Sequence, residues 1–475
     1  MPYNIDSMSR RNVLRTTGAA IAGSVAVSSV AAAGAPATED YADEGFVFDQ
    51  VINMVEDAGA DPTGEEDISP LLVEYLEDGN LLYFPTGEYK LTQFRNNEGD
   101  WHEFNAGGYY ALNNIGIVGD GSAHTSFVWP EGTGWTGETG FSWEKLGFEI
   151  RFGTNHLFEG IRLDNTAPNT GARFQILSHD GLVVRDVHVD GTFESDMTCF
   201  AFLVYTEGGE GLLENVRAPD GAINEWSAPA GSVGMYIPRG HRGTLTLRNC
   251  HLEGFQDNGL YASSPSDPAA IQVEGGYFAN CNISQVRLGQ SNSYVKNATI
   301  VVDELIDTEY TINMRGIRQQ DGEGMLVKNC NVIFTADVPS SGAIVTEART
   351  GGMTVKNTRI HVADPATIPA VATRTPLVPT ETEAVTIKNV HITGDGSDGQ
   401  AVLLIDRAGN ELENVCIDEE VRDGVELIRS EASIRNTQID VGGEAIVADD
   451  DSTVVTHNLR EEGDCAEPTV PGRWS

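Results

Sequence analysis

Lysine is the scarce residue of this 475-residue chain: six occur, at Lys90, Lys145, Lys296, Lys328, Lys356 and Lys388, and all basic residues together number 30 against 71 acids. The net charge of −41 makes nucleic acid an unexpected partner, because a strongly negative surface repels phosphate. Cysteine is scarce too. The six, Cys199, Cys250, Cys281, Cys330, Cys416 and Cys465, show no CxxC and no zinc-ligand spacing. Also missing are a phosphate loop, a Ser-His-Asp signature and HExxH, which removes the commonest hydrolase and nucleotide-binding readings. Beyond the N-terminus no apolar run approaches the length needed to span a membrane.

What is present argues against disorder, since 40% of residues are hydrophobic and can build a core. The acid excess with little lysine resembles exported proteins of halophilic archaea, and we read it as a solvated coat whose self-repulsion salt screens. The N-terminal stretch SRRNVLRTTGAAIAGSVAVSSVAAAGAPA, Ser9 to Ala37, matches the twin-arginine export pattern, with a small-residue site near Ala35. Residues 1–35 are read as a cleaved signal peptide in preference to a membrane anchor, because the run is poor in Leu, Ile and Phe. The mature chain is then extracellular or at the cell surface, off the membrane, and a monomer is expected.

One phrase recurs: LVKNCNVI from Leu326, TVKNTRIHV from Thr354, TIKNVHITG from Thr386 and SIRNTQIDV from Ser433. Aligned, it sets a register at Gly160, Asp186, Asn215, Asn249, Gly275, Asn297, Asn329, Asn357, Asn389, Asn414 and Asn436, spaced 22 to 34 residues apart. Such spacing suits one coil of a solenoid with loops of variable length. Each unit holds three period-two pieces, as in TLTLRNCHLEGFQDNGLYAS, so each coil carries three short strands and no helix. The expected fold is all-β, a right-handed parallel β-helix of about 11–12 coils with an N-terminal capping helix. Asn suits the sharp turn because it tolerates the left-handed conformation, and stacked amides can form a ladder. The basic residue before it is read as solvated. Cys250 and Cys330, which follow a ladder Asn, are read as small core residues.

GADPTGEED from Gly59, an apolar segment, and LLYFPTGEYKL from Leu81 resemble the opening of pectin-lyase-fold proteins. The resemblance implies a strand and capping helix over the open end of the coils. Asp67 and Pro70 suit the start of that helix. The expected layout is cap and first coil over 36–110, β-helix over 111–455 and tail over 456–475.

The resemblance also implies a substrate groove over the strand that follows each glycine-containing turn. Alternation places Arg173 and Gln175, Tyr236, Tyr261, Gln285 and Arg287, and Asn313 and Arg315 outward there, with Arg318 following. Tyr236, Tyr261, Arg287 and Arg315 would form the catalytic row, with Arg173, Gln175, Gln285, Asn313 and Arg318 binding substrate. Guanidinium takes carboxylate in bidentate fashion and aromatic faces stack on sugars, so an acidic polysaccharide is the expected ligand. The favoured activity is a lyase on uronate-containing glycans, with Arg neutralising the carboxylate and Tyr as base or acid. A non-catalytic glycan-binding, adhesion or structural surface protein is the alternative. A glycoside hydrolase is less favoured, because no outward acid pair stands on these strands.

A second column, Arg162, His188, Arg217 and His251, has Asp164, Asp190, Asp220 and Glu253 nearby. Stacked carboxylates could hold Ca²⁺, although a salt-bridged ladder is the simpler reading and no cofactor is required. NIS at Asn282 and NAT at Asn297 are glycosylation sequons.

Overall fold

A backbone turn in the left-handed region is the local event from which the architecture follows. The computed structural model describes residues 34–92, 109–132, 148–195, 198–222, 232–265, 267–306, 312–377, 384–461 and 463. In it all eleven register positions from Gly160 to Asn436 have φ between 49° and 75°, and Asn458 adds another at 56°. Asparagine enters this region at low cost because its short amide bonds locally. Gly160 cannot be replaced so easily, since a Cβ there would lie 2.8 Å from the Gly119 carbonyl oxygen.

Each turn is tied to the coil above it. The backbone N–H groups of Asn297, Asn329, Asn357 and Asn389 donate to the carbonyls of Lys328, Lys356, Lys388 and Glu413 at 3.0, 3.1, 3.0 and 3.0 Å. The side chains repeat the connection. Asn329 donates to Asn297 at 3.1 Å, Asn357 to Asn329 at 3.4 Å, Asn389 to Asn357 at 3.0 Å and Asn414 to Asn389 at 3.1 Å. These amides hold the strands on either side in parallel register, as in Val327–Val355–Ile387 and Val332–Ile360–Ile392.

The strands flanking the turn belong to one 26-stranded sheet, and the third strand of each coil joins a separate 13-stranded sheet running from Tyr109–Tyr110 to Ile446–Ala448. The protein is therefore a parallel β-helix. Its 13 rungs on the third face exceed the 11–12 coils expected because the first coils turn without an asparagine phrase, at Gly121 for example, where φ is 107°. Three coils run straight through the turn as single strands, Thr154–Asp164, Asp180–Asp190 and Glu210–Ala218.

Alternation buries one side of most strands in a main core that extends from Ile52 to Ile439, and Phe46, Phe48, Leu81, Val118 and Leu157 form a second, smaller cluster. Cys199, Cys250, Cys281 and Cys330 are free, buried core residues, whereas Cys416 is disulfide-bonded. Cys465 lies outside the described residues. At the N-terminal end the helix Ser69–Tyr75 presents Leu72 to the core, with Ile68 and Leu76 at its ends, and so covers the first coil. Ile68 rather than Asp67 occupies the N-cap position, yet Asp67 still accepts from the Ser69 N–H at 3.0 Å. The last coil passes residue 455: Thr453–His457 is a strand, and Asn458 donates to Asn436 at 3.0 Å.

Residues 1–33 of the expected signal peptide, 1–35, lie outside the described residues. Among the described residues no helix is long and apolar enough to cross a membrane, which says nothing of β-barrels. Of the two sequons, Asn282 is fully buried and so closed to modification, whereas Asn297 is exposed, with its Oδ1 accepting from Asn329 in the ladder.

The turn makes a prediction about stability. Asn357→Ala should lose left-handed tolerance and two ladder bonds, costing roughly 2 kcal/mol or more, while Asn357→Gly should cost less. Denaturant midpoints in molar salt, with both variants compared, check the order.

Candidate functional site

The 13-stranded sheet sets its columns by the same register. Phe174, Phe200, Met235, Leu260, Val286, Ile317 and Ile344 align inward, and Gln175, Ala201, Tyr236, Tyr261, Arg287, Arg318 and Val345 align outward. Along this outward column Gln175, Ala201, Val345 and Ala372 are buried, whereas Tyr236, Tyr261, Arg287 and Arg318 are partly exposed, Arg318 by 14% of its side chain. The face therefore opens as a window of four residues, about 15 Å long at the normal strand spacing.

Within the window the side chains touch in sequence. The rings of Tyr236 and Tyr261 meet edge to face with centroids 5.3 Å apart. The Arg287 guanidinium lies 4.2 Å above the Tyr261 ring, a cation–π contact that fixes its position. It makes no hydrogen bond or ion pair among the described residues, and its Nε is buried without a partner. The Tyr236 hydroxyl is 3.2 Å from Ser264 Oγ, and Arg318 Nε donates to Glu347 Oε1 at 2.8 Å. Arg287 is thus a held cation with unused donors.

Glu347 completes the cluster and was not visible as a site residue in the sequence. It sits on Ile344–Thr350 and also faces Arg315 Nε at 3.3 Å. Its own carbonyl is fixed from below by the buried Arg407 Nη2 at 3.2 Å and by Thr350 Oγ1 at 2.6 Å. The only hint would have been an acid two residues beyond the outward Val345.

Several expected site residues stand elsewhere. Arg315 is not in the outward column; it aligns with Ser284, is buried, and donates to Ser341 Oγ at 2.7 Å. The alternation that starts at the buried Met314 breaks at Arg315-Gly316, so that Ile317 faces inward and Arg318 outward. Burial, with the charge of Arg318, holds Arg315 down to about 10, still a cation at neutral pH and so no base. Gln285 is fully buried and spends its amide on the Cys281 N–H at 2.7 Å and the Cys281 carbonyl at 2.8 Å. Asn313 accepts from the Ser341 N–H at 3.0 Å, as a turn residue does. Gln175 donates to Glu149, a buried carboxylate that also takes Arg151 and whose pKa burial raises. Arg173 precedes the strand Phe174–Ser178, half-buried, and burial opposed by Glu149 holds it at about 10. Of these five, Arg173 meets the window through its charge on Tyr236 and Arg315 through Glu347, while Gln285, Asn313 and Gln175 spend their polar groups elsewhere.

The carboxylates proposed for calcium do not assemble. Arg162, His188, Arg217 and His251 do align, but as an ion-pair ladder. Asp190 is 3.5 Å from Arg162 and 3.6 Å from His188, and Glu253 is 3.0 Å from His251. Asp164 accepts from Thr166 Oγ1 at 2.6 Å, and Asp220 from the Gly191 N–H at 3.1 Å. Among the described residues no three metal-ligating side chains converge.

Two further carboxyls border the window. Asp257 is half-buried, and burial, opposed by Arg287 and Arg318, raises it to about 6; Asp321 is raised by burial against the same arginines and Arg349.

No family model matches the chain, and no curated protein matches it. Solved structures do. The A-module of the mannuronan C-5 epimerase AlgE6 of Azotobacter vinelandii is 16% identical, over 86% of this chain and 99% of that one, with a TM-score of 0.43. The catalytic unit of a GH87 α-1,3-glucanase from Streptomyces thermodiastaticus is 14% identical, over 94% and 72%, with a TM-score of 0.38. PfbA, a surface adhesin of Streptococcus pneumoniae, is 13% identical, over 82% and 91%, with a TM-score of 0.34. At these identities and scores the likeness decides nothing about the site.

Asp257 gives the window a pH signature. The folded carboxyl keeps its proton to about pH 6 while the unfolded one loses it near pH 4, so stability falls as pH rises through that interval and stays lower above it. Asp257→Asn should flatten this slope, read from unfolding midpoints between pH 4 and 7.

Proposed function

We propose that this chain is an exported, salt-adapted protein that binds an acidic, uronate-containing glycan across the window and cleaves it by β-elimination. The observation that carries the reading is Arg287, a cation fixed over Tyr261 with unused donors in a window between buried neighbours, on a protein of net charge −41.

The chemistry needs few parts. Arg287 takes the uronate carboxylate and spreads its charge, which makes the proton on the adjacent carbon removable. The Tyr261 hydroxyl has no hydrogen-bond partner among the described residues, whereas that of Tyr236 is 3.2 Å from Ser264 Oγ, so Tyr261, acting as the phenolate that becomes phenol on taking the proton, is the base we assign. As that proton leaves, the glycosidic C–O bond on the next carbon breaks. A carbon–carbon double bond conjugated with the carboxylate forms, and the departing oxygen is protonated by Tyr236 or water. Arg318, tied to Glu347, steadies the next sugar's charge. Tyr261 does not offer an open ring for stacking, since Arg287 lies on it.

Hydrolysis is the competing enzymatic reading: Glu347 is already shared by two arginines, and a hydrolase would have to use Asp257 and Asp321, which border the window. A non-catalytic glycan-binding surface protein would use the same Arg287 and differ only in leaving its ligand intact.

The test is a panel of polyuronates in molar salt with ultraviolet absorbance and polymer length both followed. The wild type should generate unsaturated products, and Arg287→Ala and Tyr261→Phe should each lose at least about 100-fold in rate. Reducing ends without absorbance would indicate a hydrolase, retention without cleavage a binding protein, and an Arg287→Ala variant with full activity would sink the assignment.

A further inference from the structure

A second cationic feature lies on the other sheet, in the outward position just before the asparagine turn. Read up the coils, this column is Glu159, Arg185, Glu214, Arg248, Glu274, Lys296, Lys328, Lys356, Lys388, Glu413 and Arg435, each in register with the next. Over its first five members the charge alternates, and the pairs close: Arg185 to Glu159 at 2.8 Å, Arg248 to Glu214 at 3.5 Å and to Glu274 at 3.3 Å. Alternation resumes beyond the lysines, with Lys388 to Glu413 at 2.6 Å.

Between them the alternation fails at three successive steps, Lys296–Lys328, Lys328–Lys356 and Lys356–Lys388. Lys296 lies 3.3 Å from the centre of the Tyr294 ring and Lys388 has Glu413, but Lys328 and Lys356 pair with no acid among the described residues. The flanking outward positions are Leu326, Thr354 and Thr386, none of them acidic. Like charges directly opposite on neighbouring strands destabilise a sheet. A chain with 71 acids could have continued the alternation, yet it places four of its six lysines here.

We propose that this lysine row is an anion-binding strip that holds a stretch of acidic glycan along the coil axis, separate from the window. The charge is complementary to a polyanion, and nucleic acid, whose denser charge the remainder of the surface repels, is the disfavoured occupant. The row spans four coils, so the ligand is a polymer carrying several charges rather than a single small anion. Its role is retention: a chain held on the strip stays near the protein while another segment meets the window.

The probe is the full chain applied to polygalacturonate-coated beads, with dextran-coated and DNA-coated beads as controls, from the lowest salt that preserves its circular dichroism up to molar salt. Lys328→Ala/Lys356→Ala should weaken retention on polygalacturonate at least about threefold at low salt, and Lys90→Ala should not. Cleavage of short oligouronates should be untouched by the double change and abolished by Arg287→Ala, which should still be retained. Lys328→Glu restores alternation, so it should raise the unfolding temperature at low salt while losing retention. The proposal is overturned if the double variant is retained like the wild type, if the wild type prefers DNA, or if Lys328→Glu unfolds earlier.

Discussion

The left-handed turn, with its N–H tied to a carbonyl of the next coil, is the constraint on which everything else rests. A one-residue slip in any strand would exchange its buried and exposed faces. The turn opposes that slip, since in each coil the register residue sits in the left-handed region and, from Asn297 to Asn414, its amide bonds the amide of the neighbouring coil. The core column, the Tyr–Arg window and the lysine row are three consequences of that one register.

Charge is distributed by column as well. Most acids coat the outside, where salt screens them. Cations appear at chosen places: alternating with acids before the turn, in the lysine row, where Lys328 and Lys356 have no acid among the described residues, and gathered on the third face at Arg287, Arg315 and Arg318. On that face Glu347 divides itself between Arg315 and Arg318 and leaves Arg287 with donors to spare. Elsewhere the fully buried Arg422 and Glu419, 2.7 Å apart, offset each other's desolvation, and the buried Arg407 spends its donors on carbonyls and the Thr350 hydroxyl.

The architecture was legible because its signal is local and repeated: the asparagine phrase marks the turn, and period two marks the strands. The window was legible in part. Tyr236, Tyr261 and Arg287 follow from alternation inside regular strands, but Arg315 was misplaced because the chain bends between Met314 and Ile317, and a count of two then loses its phase. Gln285 misled differently, for its amide folds back on Cys281, a local bond that no periodicity reveals. Glu347 and the buried Arg407 beneath it depend on contacts between coils about 60 residues apart in sequence, which no pattern within one phrase can show. The proposed calcium carboxylates failed for a related reason, since each had a nearer partner in the neighbouring turn or ladder.

The most direct measurement is a crystal structure of the protein with a bound oligouronate. The account predicts a sugar carboxylate within hydrogen-bonding distance of the Arg287 guanidinium, with the Tyr261 hydroxyl beside the carbon next to it. A ligand seated away from the 13-stranded face, or Arg287 turned inward with no anion near it, would contradict the account.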